Sequence, residues 1–262
     1  APIYTAVGGN PLALRLVGGQ LHVHTLPAIL QDLASVNSRK VENLYTFIYR
    51  RAWENLDEPG RRLLLTMPLT NSDGADLAFL AAVSGLEGAD LRHALDTLVM
   101  FNLVDARGEL HHRLYSIHYP TLFATFVVRS AAVLRDRLVT AGTSTSEEFA
   151  RQRDHALHIL TYALGPDEAW PSARDLLRVL AEPMEQAGAR SEWLPFLQRG
   201  VERSTALADL GAEAELSLRI GHLLRLVSDF ANAQKWLARS LRCFEQLGDH
   251  AGVARALNQL AY

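Results

Sequence analysis

From residue 119 to the end, the chain shows no stretch with the every-second-residue alternation of a strand, only helical patterning cut by short turns. The interruptions fall at Gly142-Thr143-Ser144, Gly165-Pro166, Gly188-Ala189-Arg190, Leu210-Gly211 and Leu247-Gly248-Asp249. Similar helical contexts return at a fixed distance: Gly188 and Ser228, Leu197 and Leu237, and Gly221 and Ala261 each lie 40 residues apart. A spacing of that size reads as an array of helix pairs. The segment 218–241 is its clearest unit. In it Gly221 permits close helix approach, Leu224 packs inward, Ser228-Asp229-Phe230 forms the turn, and Ala233 and Leu237 return along the second helix. One such pair cannot bury its apolar face alone, so the pattern requires stacked neighbours.

The first half reads differently. Asn10-Pro11 is a helix start, because asparagine caps with its side-chain oxygen and proline at the first position forfeits no hydrogen bond. Apolar runs at Leu12–Val17 and Leu26–Leu33 form a short helical bundle, and residues 35–40 are polar enough for a linker. Helical spacing resumes at Leu44, breaks at Asp57-Glu58-Pro59-Gly60, and continues in helices at about 61–67, 74–83 and 89–101. Residues 102–105 and 112–115 then flank Ala106-Arg107-Gly108-Glu109 as a short hairpin, which gives the element order of a winged helix.

Composition narrows the function classes. With 262 residues and 48% hydrophobic content the chain is long enough to bury a large core. A net charge of −3 gives no general attraction to nucleic acid or to an anionic membrane. Within 45–128 there are seven arginines against ten acids, and Arg92 and His93 on the third helix face Asp90 and Asp96, so no DNA binding is expected there. No apolar run has the length of a membrane helix. The single cysteine, Cys243, fits a cytoplasmic protein and reads as a small buried hydrophobe. Trp53, Trp170, Trp193 and Trp236 are expected in the core. No metal site is expected: of His22/His24, His111/His112 and His155/His158, only the last pair shares a helix face, and no cysteine or carboxylate completes a set.

The string Gly8-Gly9-Asn10-Pro11-Leu12-Ala13-Leu14 resembles the glycine-x-proline motif of the NB-ARC ATPases, members of the STAND class of signal-transduction NTPases. Residues 47–69 and 95–120 resemble the winged helix of bacterial members, and 218–249 resembles their roughly forty-residue tetratricopeptide variant. The resemblance implies a mainly α fold: a small helical bundle (1–40), a winged-helix module (41–128), a connector (129–145) and a right-handed tetratricopeptide-like repeat array (146–262). It also implies adenine-nucleotide contacts in the full-length protein at Gly9 and Pro11, the proline near the adenine, and at His118, where the family's methionine-histidine-aspartate contacts the phosphates of ADP. Here Ile117 and Tyr119 replace the methionine and aspartate.

The catalytic core itself is absent from the sequence. A P-loop needs a lysine after glycine to reach the outer phosphates, yet Lys40 and Lys235, the only lysines, follow Arg39 and Gln234. The chain is therefore expected to be non-catalytic and to hold no cofactor by itself, with ATP or ADP and magnesium belonging to a full-length parent. The opening Ala1-Pro2-Ile3-Tyr4 and the ending at Tyr262 within a repeat read as boundaries inside a longer protein. The expected role is regulatory: a protein, peptide or small effector binds the repeats, and the winged helix relays occupancy to the nucleotide-binding domain of a protein that oligomerises on activation. The alternative is the sensor part of an ATP-dependent transcriptional activator.

Overall fold

The computed structural model describes residues 2–35, 41–70, 76–104, 120–140 and 146–261. Among them the protein is all helical, with fourteen α-helices and two short 3-10 turns. The chain divides into two compact units, Ala1–Ser130 and Ala131–Tyr262.

The first unit opens with α1 (Pro2–Ala6), α2 (Pro11–Gln20) and α3 (Leu26–Ser35), followed by α4 (Val41–Asn55). Two contacts fix α2. Gln20 donates its side-chain amide to the carbonyl of Ile48 at 3.2 Å, in buried surroundings. A Cβ on Gly19 would lie 2.2 Å from the carbonyl oxygen of Phe101, so only glycine permits that approach. Next come α5 (Glu58–Thr66), α6 (Leu77–Ser84) and α7 (Gly88–Met100). The break at 57–60 is also a start: Asp57 accepts from the amide of Gly60 at 2.9 Å and Pro59 occupies the first turn, so α5 begins three residues ahead of the expected 61. Asp76 caps α6 in the same way, accepting from Ala78 and Phe79 at 2.9 and 3.1 Å. Leu63, Leu64 and Leu65 are all fully buried, which makes α5 the centre of this unit, covered by α6 and α7. Of the expected hairpin, Asn102, Leu103 and Val104 are described, with Val104 in a β-bridge, and residues 105–119 lie outside the described residues.

The long helix α8 (Pro120–Thr140) starts in the first unit and ends in the second. There follow α9 (Ser146–Ala163), α10 (Trp170–Gln186), α11 (Arg190–Ala206), α12 (Leu210–Leu226), α13 (Phe230–Leu247) and α14 (His250–Leu260). The last four begin at 190, 210, 230 and 250, a helix period of 20 residues. The 40-residue spacing visible in the sequence is two of these periods.

The turns explain the period. Gly188, Ala208, Ser228 and Gly248 all have left-handed backbone, with φ of 69°, 55°, 64° and 68°. After each, the next residue donates its amide to the carbonyl five residues back: Ala189 to Met184 at 3.2 Å, Asp209 to Ser204 at 2.8 Å, Asp229 to Leu224 at 2.9 Å and Asp249 to Phe244 at 3.0 Å. This closes the old helix in Schellman fashion. The three aspartates then cap the new helix, accepting from Ala212, Asn232 and Gly252 at 3.0, 3.3 and 2.9 Å. The interruption expected at Leu210-Gly211 is thus displaced: the turn is Leu207-Ala208-Asp209, and Gly211 lies inside α12.

Between helices, small residues set the distance. A Cβ on Gly221 would fall 2.5 Å from Leu237 Cγ, so α12 and α13 meet where the side chain is missing. Leu197 and Leu237, one double period apart, are both buried, as are Leu224 and Ala233.

Candidate functional site

Each unit holds a candidate region. In the first, Gly8 and Gly9 adopt left-handed backbone, with φ of 61° and 71°. The Tyr4 ring lies over Gly9, where a Cβ would come within 2.8 Å of its Cζ and Oη. Asn10 is extended, and its Oδ1 accepts from the amides of Leu12 and Ala13 at 3.0 and 3.2 Å, with Pro11 exposed at the first position of α2. A helix N-terminus attracts anions through its unpaired amides. Here Asn10 already occupies two of them. The residues present therefore fit an apolar contact of a base with the Pro11 ring and do not fit a phosphate cradle. His118, with Ile117 and Tyr119, lies outside the described residues.

In the second unit a groove of about 300 Å³ runs between α10 and α12, lined by Arg174, Arg178, Ala212, Glu215, Leu216 and Arg219. Its walls are charged and its floor is apolar. Arg174 pairs with Asp209 at 3.1 Å and with Asp175 at 3.4 Å, and Arg219 pairs with Glu185 at 3.0 Å. Glu215 is engaged from α14 by both terminal nitrogens of Arg255, at 2.6 and 3.2 Å. Arg178 is exposed and, among the described residues, has no acid within ion-pair distance.

Asp209 anchors one wall. Besides capping α12, it accepts from the Trp170 indole at 2.9 Å and from Arg174. Partial burial pushes its carboxyl upward, but the Ala212 amide, the indole and the Arg174 guanidinium outweigh that and hold it below the usual carboxylate value. For Arg174 the balance has the opposite sign: burial opposes the charge, and Asp209 and Asp175 overcome it, leaving the guanidinium more firmly protonated than usual.

A wider groove, about 650 Å³, is lined from α11 and α13 by Gln198, Val201, Glu202, Thr205, Ala206, Trp236 and Arg239. Three of the four tryptophans are core residues, Trp193 completely so. Trp236 is the exception, half-buried with the Arg239 guanidinium over its ring at 5.6 Å. Cys243 is buried, and desolvation followed by the nearby Glu213 carboxylate raises its thiol above the ordinary value, which disfavours the thiolate. His155 is buried and His158 packs edge-on against Tyr162 at 5.3 Å. His111 and His112 lie outside the described residues, among which no three histidine, cysteine or carboxylate side chains converge on one point. No helix of the described residues is long and apolar enough to cross a membrane.

The Arg178 groove is absent from the sequence reading because its charges come from helices whose faces are set only by packing. The one advance signal is the pair Arg174 and Arg178, four residues apart and so on one side of a helix. Comparison with protein-family models, with curated proteins and with solved structures gives no match for this chain.

Proposed function

We propose that this chain is a non-catalytic sensing and relay module: its tetratricopeptide-like repeats receive a protein, peptide or small effector, and its first unit passes occupancy to a nucleotide switch of the STAND type. The observation that carries this reading is the groove between α10 and α12, where an evenly phased helix array presents a charged concavity in which one arginine has no acid partner among the described residues. Arrays of this kind expose long surfaces for binding. The capped start of α2, with Pro11 exposed, supports an adenine contact completed by residues elsewhere, among them His118. An effector drives such a switch only by binding one arrangement better than the other, each tenfold preference amounting to about 1.4 kcal/mol.

Site-specific photo-crosslinking tests the reading. A photoreactive residue at Glu182, exposed on α10 one helical turn beyond Arg178 at the edge of the groove, is expected to trap a partner in source cells, while one at the exposed Val99 of α7 is not. Adducts formed at Val99 alone overturn it. Calorimetry of the chain with ATP and with ADP is expected to show no binding tighter than about millimolar, roughly −4 kcal/mol. Micromolar affinity contradicts a nucleotide site that depends on residues outside this chain.

A further inference from the structure

We infer that the groove between α10 and α12 takes a carboxylate-bearing peptide, with Arg178 as the residue that receives the carboxylate. The inference rests on reading the repeats as the effector-binding part. Of the lining charges, Arg174 and Arg219 are balanced by Asp209, Asp175 and Glu185, and Glu215 by Arg255, so among the described residues Arg178 is the charge left uncompensated, opposite in sign to the chain's net −3. An anion is thus drawn to this place by short-range contact and not by the overall field, which repels it.

The three arginines are not equivalent. Arg174 and Arg219 are each held by an acid, at 3.1 and 3.0 Å, which fixes them as the two sides of the groove. Arg178, one helical turn from Arg174 and, among the described residues, without an acid within ion-pair distance, has its planar fork of donors open to a ligand. That fork matches a carboxylate in bidentate geometry. Beneath it, the buried Ala212 and Leu216 supply an apolar floor that lowers the local dielectric and strengthens the contact relative to open solvent.

Glu215 selects among anions. A nucleic-acid phosphodiester has no hydrogen-bond donor to offer it and is repelled, and inorganic phosphate lacks the chain that spans the groove. A peptide offers a carboxylate for Arg178 and backbone N–H donors for the remaining lone pairs of Glu215. A volume of about 300 Å³ accommodates an acidic side chain with part of its backbone, and is too small for a folded domain.

The test is fluorescence anisotropy of a labelled short oligoglutamate peptide with the whole chain. Binding is expected, weakened by salt, and unaffected by competing oligoglutamine or inorganic phosphate. Arg178→Gln is expected to weaken it at least tenfold and Arg178→Lys by less, since lysine keeps the charge but not the fork. Arg242→Gln, on the exposed side of α13, is expected to bind as the parent does. Circular dichroism of Arg178→Gln should match the parent, because the side chain is exposed and makes no ion pair. The inference is overturned if the parent does not bind oligoglutamate, if Arg178→Gln binds within twofold of it, if Arg242→Gln loses as much, or if phosphate displaces the peptide. Failure here with adducts still forming at Glu182 removes the carboxylate assignment alone; peptide binding without adducts at Glu182 removes the sensing role alone.

Discussion

Glu213 of α12 and Arg239 of α13 form an ion pair at 2.8 Å in a layer of the array that is otherwise apolar. By the 20-residue helix period, position 213 is equivalent to 193, 233 and 253, occupied by Trp193, Ala233 and Val253. Glu213 is 8% exposed and also accepts from Thr205 Oγ1 at 3.0 Å, while Arg239 reaches the same hydroxyl at 2.7 Å and covers the Trp236 ring. The glutamate is thus satisfied on both sides, which is what permits a charge at that depth.

Removing one partner strands the other. Breaking a fully buried pair costs about 3–5 kcal/mol, and the Arg239 side chain is one-third exposed, so Glu213→Ala is expected to cost about 1–3 kcal/mol in urea unfolding. Arg239→Met combined with Glu213→Leu should cost less than the sum of the single changes. Strict additivity would show that the pair is not coupled.

Two glycines of α12 should respond with opposite signs. Gly221→Ala places a methyl group 2.5 Å from Leu237 Cγ and 3.3 Å from the Ala233 carbonyl, an overpacking expected to cost about 1–3 kcal/mol. At Gly211 the nearest atom is Asp209 Oδ1 at 3.7 Å, so alanine there should stabilise by about 0.5–1 kcal/mol through its helix preference. Thermal melts of the two variants compare directly.

Ala208 and Ser228 hold left-handed backbone with a Cβ attached. That conformation costs an L-residue about 1–2 kcal/mol, and glycine gives back about 0.5–1 kcal/mol in chain entropy. Ala208→Gly and Ser228→Gly should each stabilise by a few tenths to about 1 kcal/mol, raising Tm by up to about 4 °C. Gly248→Ala should lower it. A drop in Tm for Ala208→Gly would mean that the methyl group earns its place through packing.

The Asp209 carboxyl titrates below its ordinary value of 3.8 in the folded chain. The unfolded chain therefore binds more protons as pH falls through that region. The stabilisation from Asp209 is present above about pH 4 and is lost as pH drops through the lower folded-state value. Asp209→Asn keeps a capping side chain but loses the charge facing Arg174, so it should cost about 1 kcal/mol at neutral pH and flatten the acid limb of the stability curve. An unchanged acid limb would show that the cap alone matters.

The parts of this protein written locally were readable from residue types. Asn10-Pro11 starts α2 and Ser228-Asp229 turns α12 into α13, because each device closes its hydrogen bonds within a few residues; residues 57–60 read as a break, while Asp57 and Pro59 also start α5. The turn at Gly8-Gly9 before α2 likewise lies in a short string whose conformation is set on the spot. The turn at 207–209 was missed because Ala208 carries no sign of left-handed backbone; the aspartates recurring at 209, 229 and 249 were the available signal.

What the sequence determined by itself is a mainly α chain whose helix starts and stops mostly agree with the structure among the described residues, and the lack of any lysine placed as a P-loop requires. The tertiary structure alone decided that Trp236, unlike the other three tryptophans, is only half-buried, that Glu213 enters an apolar layer, and that, among the described residues, Arg178 is left without an acid while Arg174 and Arg219 are paired. The reason is distance along the chain. Trp170 and Asp209 are 39 residues apart and Glu185 and Arg219 are 34 apart, so these partners are chosen by how helices stack, and no local pattern records that choice.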